Sequence, residues 1–204
     1  MNGSQLEKTA QSMVAAGKGI LAADQGASFV EGWLESSGQP TTPNTLVQYR
    51  EMLFRTPRLC DYISGIILLG EVVEQRAADG TPLLDLIIQQ GILPGVTPST
   101  GLQPLAGAPD EVITAGLDGL RERLATLSNQ GFRFTKWRSP LTLGPGLPTE
   151  YAADANAYTL GQFAALSQEV GLVPIVEPEV VMLGSHDLAR HFEVTEWFLR
   201  KVFQ

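Results

Sequence analysis

The sequence predicts an α/β fold of barrel type, in which parallel strands are each followed by a helix. Three observations carry that prediction. Short apolar runs bounded by glycine or an acid recur along the 204 residues, the look of strands buried on both faces. Helical periodicities separate them, and alternation of strand and helix implies a parallel sheet covered by helices. Asp24, Glu71, Lys136, Arg138, Glu177 and Glu179 all fall at or beyond the C-terminal ends of those runs, the rim where barrel enzymes gather their chemistry. A doubly wound sheet would carry a G-x-G-x-x-G turn after its first strand; "DQGASF" stands there instead.

Taken in order, "GILAAD" (19–24) and "ISGIILLG" (63–70) are the first two strands, and "ILPGVTP" (92–98), with two prolines, is a weaker third. "GFRFTKWRSPL" (131–141) and "LVPIVEPEV" (172–180) are the fourth and fifth. Asn44 is placed to cap a helix over "TLVQYREMLFRT", in which Leu46, Tyr49, Leu53 and Phe54 recur at helical spacing. A shorter helix is expected from near Thr81 to Gly91. "DEVITAGLDGLRERLATLSNQG" reads as one helix with Val112, Ile113, Leu117, Leu120, Leu124 and Leu127 on one face. Asp110 and Glu111 would complement its dipole and Gly131 would stop it. Gly116 and Gly119 inside it cost about 1 kcal/mol each relative to alanine. "TEYAADANAYTLGQFAALSQEVG" predicts a helix ending at Gly171, and "DLARHFEVTEWFLRKVF" another, with His186 and Asp187 at its start. Nothing reads as a linker or a repeat, so residues 1–204 are expected to form a single domain.

Composition narrows the function. The chain is 44% hydrophobic with 18% charged residues, which suits one packed core rather than a disordered chain. A net charge of −8 and scattered basic residues argue against nucleic-acid or anionic-membrane partners. The single cysteine, Cys60, allows no intrachain disulfide and reads as a packed core thiol. His186 and His191 lack the spacing of a helical metal motif, so no metal is expected. "MNGSQLEKTAQS" lacks the apolar core of a signal peptide, and "GIILLG" is too short to span a bilayer; cytoplasmic residence is the expectation.

The segments "FTKWRSPL" and "PIVEPEV" carry opposite charges at the same spacing. Side chains alternate along a strand, so Lys136 and Arg138 share one face, as do Glu177 and Glu179. If the strands are neighbours, two cations meet two carboxylates at the barrel mouth. At about 5 Å and an effective dielectric near 20, each facing pair attracts by roughly 3 kcal/mol. Such pairs occur as structural elements too, but matched spacing on a catalytic rim favours a functional site.

"GKGILAAD", "QYREMLF", "ISGIIL", "GILPGV", "PLAG", "GLDGLRER", "FTKWR", "GLVPIVEPEV" and "HDL" follow one another as in class I fructose-bisphosphate aldolases. The chain resembles that family over essentially its whole length. The resemblance implies a cofactor-free and metal-free TIM (β/α)₈ barrel, of which about the first five βα units are present. It implies a glycolytic and gluconeogenic lyase that cleaves fructose 1,6-bisphosphate into dihydroxyacetone phosphate and glyceraldehyde 3-phosphate through a lysine Schiff base. By position, Asp24 resembles the aspartate that orients substrate and handles protons. Lys136 resembles the lysine that assists proton transfer, and Arg138 would reach a substrate phosphate. Glu177 resembles the acid/base that dehydrates the carbinolamine, and Glu179 the carboxylate that orients the lysines.

Two departures accompany the likeness. Where the family reads "ADESTGSIGKRL", this chain reads "ADQGASFVEGWL", with Gly26, Phe29, Gly32 and Trp33 at phosphate-holding positions. Thr97 stands for the first lysine of "GIKVDKG". A weaker grip on a bisphosphate follows. The sequence also stops at Gln204, before the strand that carries the Schiff-base lysine in this family; Lys201 lies in a predicted helix. The chain alone is therefore expected to be inactive, its open edge covered by a complementing C-terminal chain or within an oligomer. A non-catalytic aldolase-like scaffold is the alternative reading.

Overall fold

The computed structural model describes residues 3–204. It divides into two compact units.

One unit runs to Thr97 and adds Ser128–Thr135. It contains α1 (Gly3–Met13), β1 (Gly19–Ala23), α2 (Ala27–Ser36), α3 (Pro43–Phe54), the single turn α4 (Leu59–Tyr62), β2 (Ile63–Leu69), a 3₁₀ turn (Gly70–Glu74), α5 (Leu83–Gln89) and β3 (Leu93–Thr97). Strands β1, β2 and β3 pair in parallel in that order. Parallel pairing also joins Gly95 to Phe134 and Val96 to Thr135. The Phe134 ring fixes that register: a Cβ on Gly95 would meet it at 2.2 Å and one on Gly65 at 2.9 Å. Only glycine leaves room for the ring.

Helix α3 starts two residues earlier than expected. Thr42, not Asn44, is its cap and accepts the Thr45 N–H, because Pro43 at the first helical position needs no N–H partner. Cys60 is half-buried in α4 with its sulfur beside Asp61, so it is not a core thiol.

The other unit comprises Pro98–Leu127 and Lys136–Gln204. It holds β4 (Gly101–Leu105), β5 (Ala108–Ala115), most of α6 (Leu120–Asn129) and of β6 (Phe134–Leu141), then α7 (Glu150–Glu169), β7 (Val173–Val180) and α8 (Leu188–Val202). The expected long helix beginning at Asp110 is instead the second strand of the antiparallel β4–β5 hairpin, followed by the short α6. Gly116 at φ +117 and Gly119 at φ +65 take conformations that no helix continues through. Val112 and Ile113 therefore belong to a strand, and Asp110 and Glu111 cap nothing on α6.

Strands β6 and β7 are hydrogen-bonded neighbours. Their contacts rise together, Lys136 with Glu177, Arg138 with Glu179 and Leu141 with Val181, which is the order of a parallel pair. Helix α7, capped by Thr149, packs on β7, β5 and α8, and its Phe163 ring lies 5.3 Å from the buried Trp137. Asp187 caps α8 by accepting the Arg190 N–H, as its place in "HDL" predicts. Five strands, β1, β2, β3, β6 and β7, are each followed by a helix, the third only after the hairpin. No helix among the described residues is long and apolar enough to cross a membrane.

Candidate active site

Alternation along β6 sends Trp137 and Ser139 into the interior, fully buried, and turns Lys136 and Arg138 to the half-exposed face. Glu177 and Glu179 project alike from β7, so the two cations meet the two carboxylates pair by pair. Lys136 Nζ lies 3.4 Å from Glu177 Oε2, with the lysine side chain only 12% exposed and the glutamate 35%. Arg138 holds Glu179 with both arms of a fork: Nη2 donates to Oε1 at 2.8 Å and Nε donates to Oε2. The Arg138 hydrogen bonds hold the Glu179 carboxyl below the usual carboxylate range, against the opposing effect of burial; the charge of Lys136 adds to the lowering.

The two pairs differ in kind. Glu179 is committed to Arg138 by directed, bidentate bonds. Lys136 and Glu177 meet as an ion pair at 3.4 Å, and Glu177 Oε2 accepts no hydrogen bond. An ammonium beside a carboxylate oxygen with spare acceptor capacity keeps a proton donor and an acceptor close together.

The hairpin supports β6 from the side, which sequence periodicity did not foresee. The buried Thr114 hydroxyl of β5 donates to the Arg138 carbonyl oxygen. Glu111, also buried, accepts the Thr149 N–H at 2.8 Å and the Thr149 hydroxyl, tying β5 to the start of α7. The only sequence signal for this clamp is an acid in an otherwise apolar run, and that acid also fits a helix start.

Within the other unit, Asp24 stands just past β1 and accepts a 2.8 Å hydrogen bond from the Thr97 hydroxyl at the end of β3. The ends of β1 and β3, which flank β2 in the sheet, thus converge on one carboxylate. Glu71 has a different role. It pairs at 3.1 Å with Arg50, whose side chain is 3% exposed and also donates to Gln75 at 2.8 Å. The pair fastens α3 to the 3₁₀ turn after β2.

Lys201 lies in α8, where it donates to Asp154 at 2.6 Å and to Glu150, with its Nζ 5.2 Å from the Trp197 ring centroid. The Asp154 and Glu150 carboxylates raise its pKa, so it is a held ammonium and not an amine nucleophile. His186 and His191 face each other with nitrogens 3.4 Å apart and ring centroids 5.5 Å apart. This imidazole contact joins the loop after β7 to α8.

A family model described as fructose-bisphosphate aldolase class-I matches residues 5–204. The probable fructose-bisphosphate aldolase class 1 of Xanthomonas campestris pv. campestris is 47% identical over 203 residues, covering 100% of this chain and 61% of that protein. The fructose-bisphosphate aldolase of Drosophila melanogaster is 41% identical over 201 residues, covering 98% and 56%. A solved structure of fructose-bisphosphate aldolase from Plasmodium falciparum superposes with a TM-score of 0.94 at 37% identity, over 98% of this chain and 58% of that one. The chain thus spans about three fifths of the length of the relatives it matches. Its five strand–helix units are part of a TIM-type barrel, and the chain belongs to the class I fructose-bisphosphate aldolase family.

Proposed function

We propose that residues 1–204 act as one incomplete barrel domain supplying the acid–base half of a Schiff-base aldolase site. The observation that carries this reading is the pairing on β6 and β7: Lys136 with Glu177 in loose ionic contact, and Arg138 locked to Glu179. The substrate class is a phosphorylated ketose. The imine-forming lysine comes, in this reading, from the part of the relatives that this chain does not span, and that part also covers β7 and α8. The amine adds to the substrate ketone to give a carbinolamine; Glu177 donates a proton as hydroxide leaves, releasing water and forming the imine. The imine then takes up the electron pair of the breaking carbon–carbon bond, and Lys136 steadies the charge that moves. Asp24, steered by Thr97, positions a substrate hydroxyl. Arg138 orders Glu179, and reaching a phosphate would require it to release one arm of the fork.

A second reading, a non-catalytic aldolase-like scaffold, is favoured by one observation: α2 carries no cation where phosphate would be held. Borohydride trapping with dihydroxyacetone phosphate separates the two. The enzyme reading expects no labelling of the 204-residue chain alone and stoichiometric labelling once a C-terminal portion from a relative is added. Absence of labelling in the complemented protein supports the scaffold. Labelling of the chain alone, lost in Lys136→Met, would overturn both the assignment of the nucleophile and the role given to Lys136.

A further inference from the structure

The chain has two histidines, and they meet. His186 stands in the loop after β7, one residue before Asp187, the cap of α8, and His191 lies at the start of that helix. Five residues do not bring two side chains to one helical face. His186 precedes the helix, however, and the loop turns its ring back onto His191. Nε2 of His186 and Nδ1 of His191 are 3.4 Å apart, with the rings within 24° of parallel. That separation exceeds the roughly 2.7–3.2 Å of a good hydrogen bond from nitrogen. It matches the edge of a tetrahedron of ligands around zinc, where bonds of about 2.0–2.1 Å put two nitrogens roughly 3.3–3.4 Å apart.

The surroundings suit a cation. Both rings line one open cavity of about 210 Å³, together with Met182, Asp187 and Leu188. Asp187 spends one carboxylate oxygen on the Arg190 N–H, and its charge stays beside the rings. Arg190, which also borders His186, is paired with Glu193 at 2.8 Å. Over residues 186–193 two carboxylates therefore stand against one guanidinium. The far nitrogen of His186, Nδ1, is buried without a hydrogen-bond partner, and a Cβ on Gly184 would meet it at 2.9 Å. The ring is thus backed against a glycine with Nε2 turned to His191. No hydrogen bond at Nδ1 dictates which nitrogen carries the proton, so Nε2 can present its lone pair.

We propose that His186 Nε2 and His191 Nδ1 are two ligands of a divalent cation of the zinc class, with water at the remaining positions. Imidazole nitrogens select that class, whereas magnesium and calcium take oxygen ligands. The cation acts as a clasp, fastening the loop that follows Glu179 onto α8. Because it needs both rings in their folded places, it stabilises the folded chain by binding.

Because these are the only two imidazoles in the sequence, their ring nitrogens can be followed without overlap. The untagged, ¹⁵N-labelled 204-residue chain, stripped of metal by a chelator, is titrated with zinc chloride and observed in long-range ¹H–¹⁵N spectra. One equivalent is expected to move His186 Nε2 and His191 Nδ1 with a common midpoint, and magnesium at the same concentration to move neither. His186→Ala and His191→Gln are each expected to weaken zinc binding at least about tenfold by calorimetry. Cys60→Ser, which removes the only thiol, is expected to leave it unchanged. A shift at one imidazole only, ligation through His191 Nε2, or an equal response to magnesium overturns the clasp. So does zinc binding that survives both histidine changes, or a stoichiometry of one cation per two chains.

Discussion

Glu179 receives two hydrogen bonds from Arg138, and its lowered pKa makes that pair a pH-dependent contribution to stability. The folded pKa lies below the unfolded one. The contribution is therefore fully present above the ordinary carboxylate range and is lost as pH falls through the lowered value. Both side chains are partly exposed, so solvent screening keeps the effect of Glu179→Gln to about 1 kcal/mol near pH 7. Urea midpoints of the two proteins are expected to differ at neutral pH and converge in strong acid. Lys136 answers to a different measurement. In the complemented enzyme, Lys136→Met is expected to lower cleavage about 10²-fold or more, with the urea midpoint shifting far less than for a core deletion. A loss of fold in place of a loss of rate would mark the Lys136–Glu177 contact as structural.

The elements show where close packing sets the register. Phe134 occupies the space that side chains on Gly65 and Gly95 would need, so Gly95→Ala is expected to cost about 2 kcal/mol. Gly65→Ala, with a longer approach, is expected to cost less; thermal melts order the two. Glu111→Ala removes both acceptors of Thr149 and is expected to cost about 1–3 kcal/mol. The five parallel strands were legible because their apolar runs are short, continuous and closed by glycine or charge. The ionic pairs were legible because strand alternation converts spacing into facing. The hairpin was not. Val112 and Ile113 fit a helical face as well as a strand, and Asp110 and Glu111 imitate an acidic first turn. What decides is the positive φ of Gly116 and Gly119 and a partner, Thr149, 38 residues away. Neither is a local property. The cap of α3 was missed for a smaller reason: Pro43 favours the residue before it, and Thr42 has the hydroxyl to use that place.

At the scale of the whole chain, α8 is apolar on two sides. Val194 and Phe198 are buried, while Leu188, Phe192, Leu199 and Phe203 are exposed, with Met182 and Leu183 nearby in sequence. A surface of this kind is expected to self-associate when nothing covers it. Sedimentation velocity of the 204-residue chain should show mass rising with concentration, and Leu188→Lys with Phe192→Glu should suppress it; indifference to the pair of changes would place the contact elsewhere. The separation of the ionic partners has a kinetic consequence. Arg138 and Glu179 are 41 residues apart, and the chain between them is α7 with its two connections. Neither pair can form until that βαβ crossover has closed, so the loop-closure entropy of the whole unit precedes any electrostatic gain. Truncating Phe163 in α7, whose ring packs beside Trp137, is then expected to slow the arrival of fluorescence from Trp137 during refolding. The charges at the rim would be the last part of the unit to assemble and the first to report that it has opened.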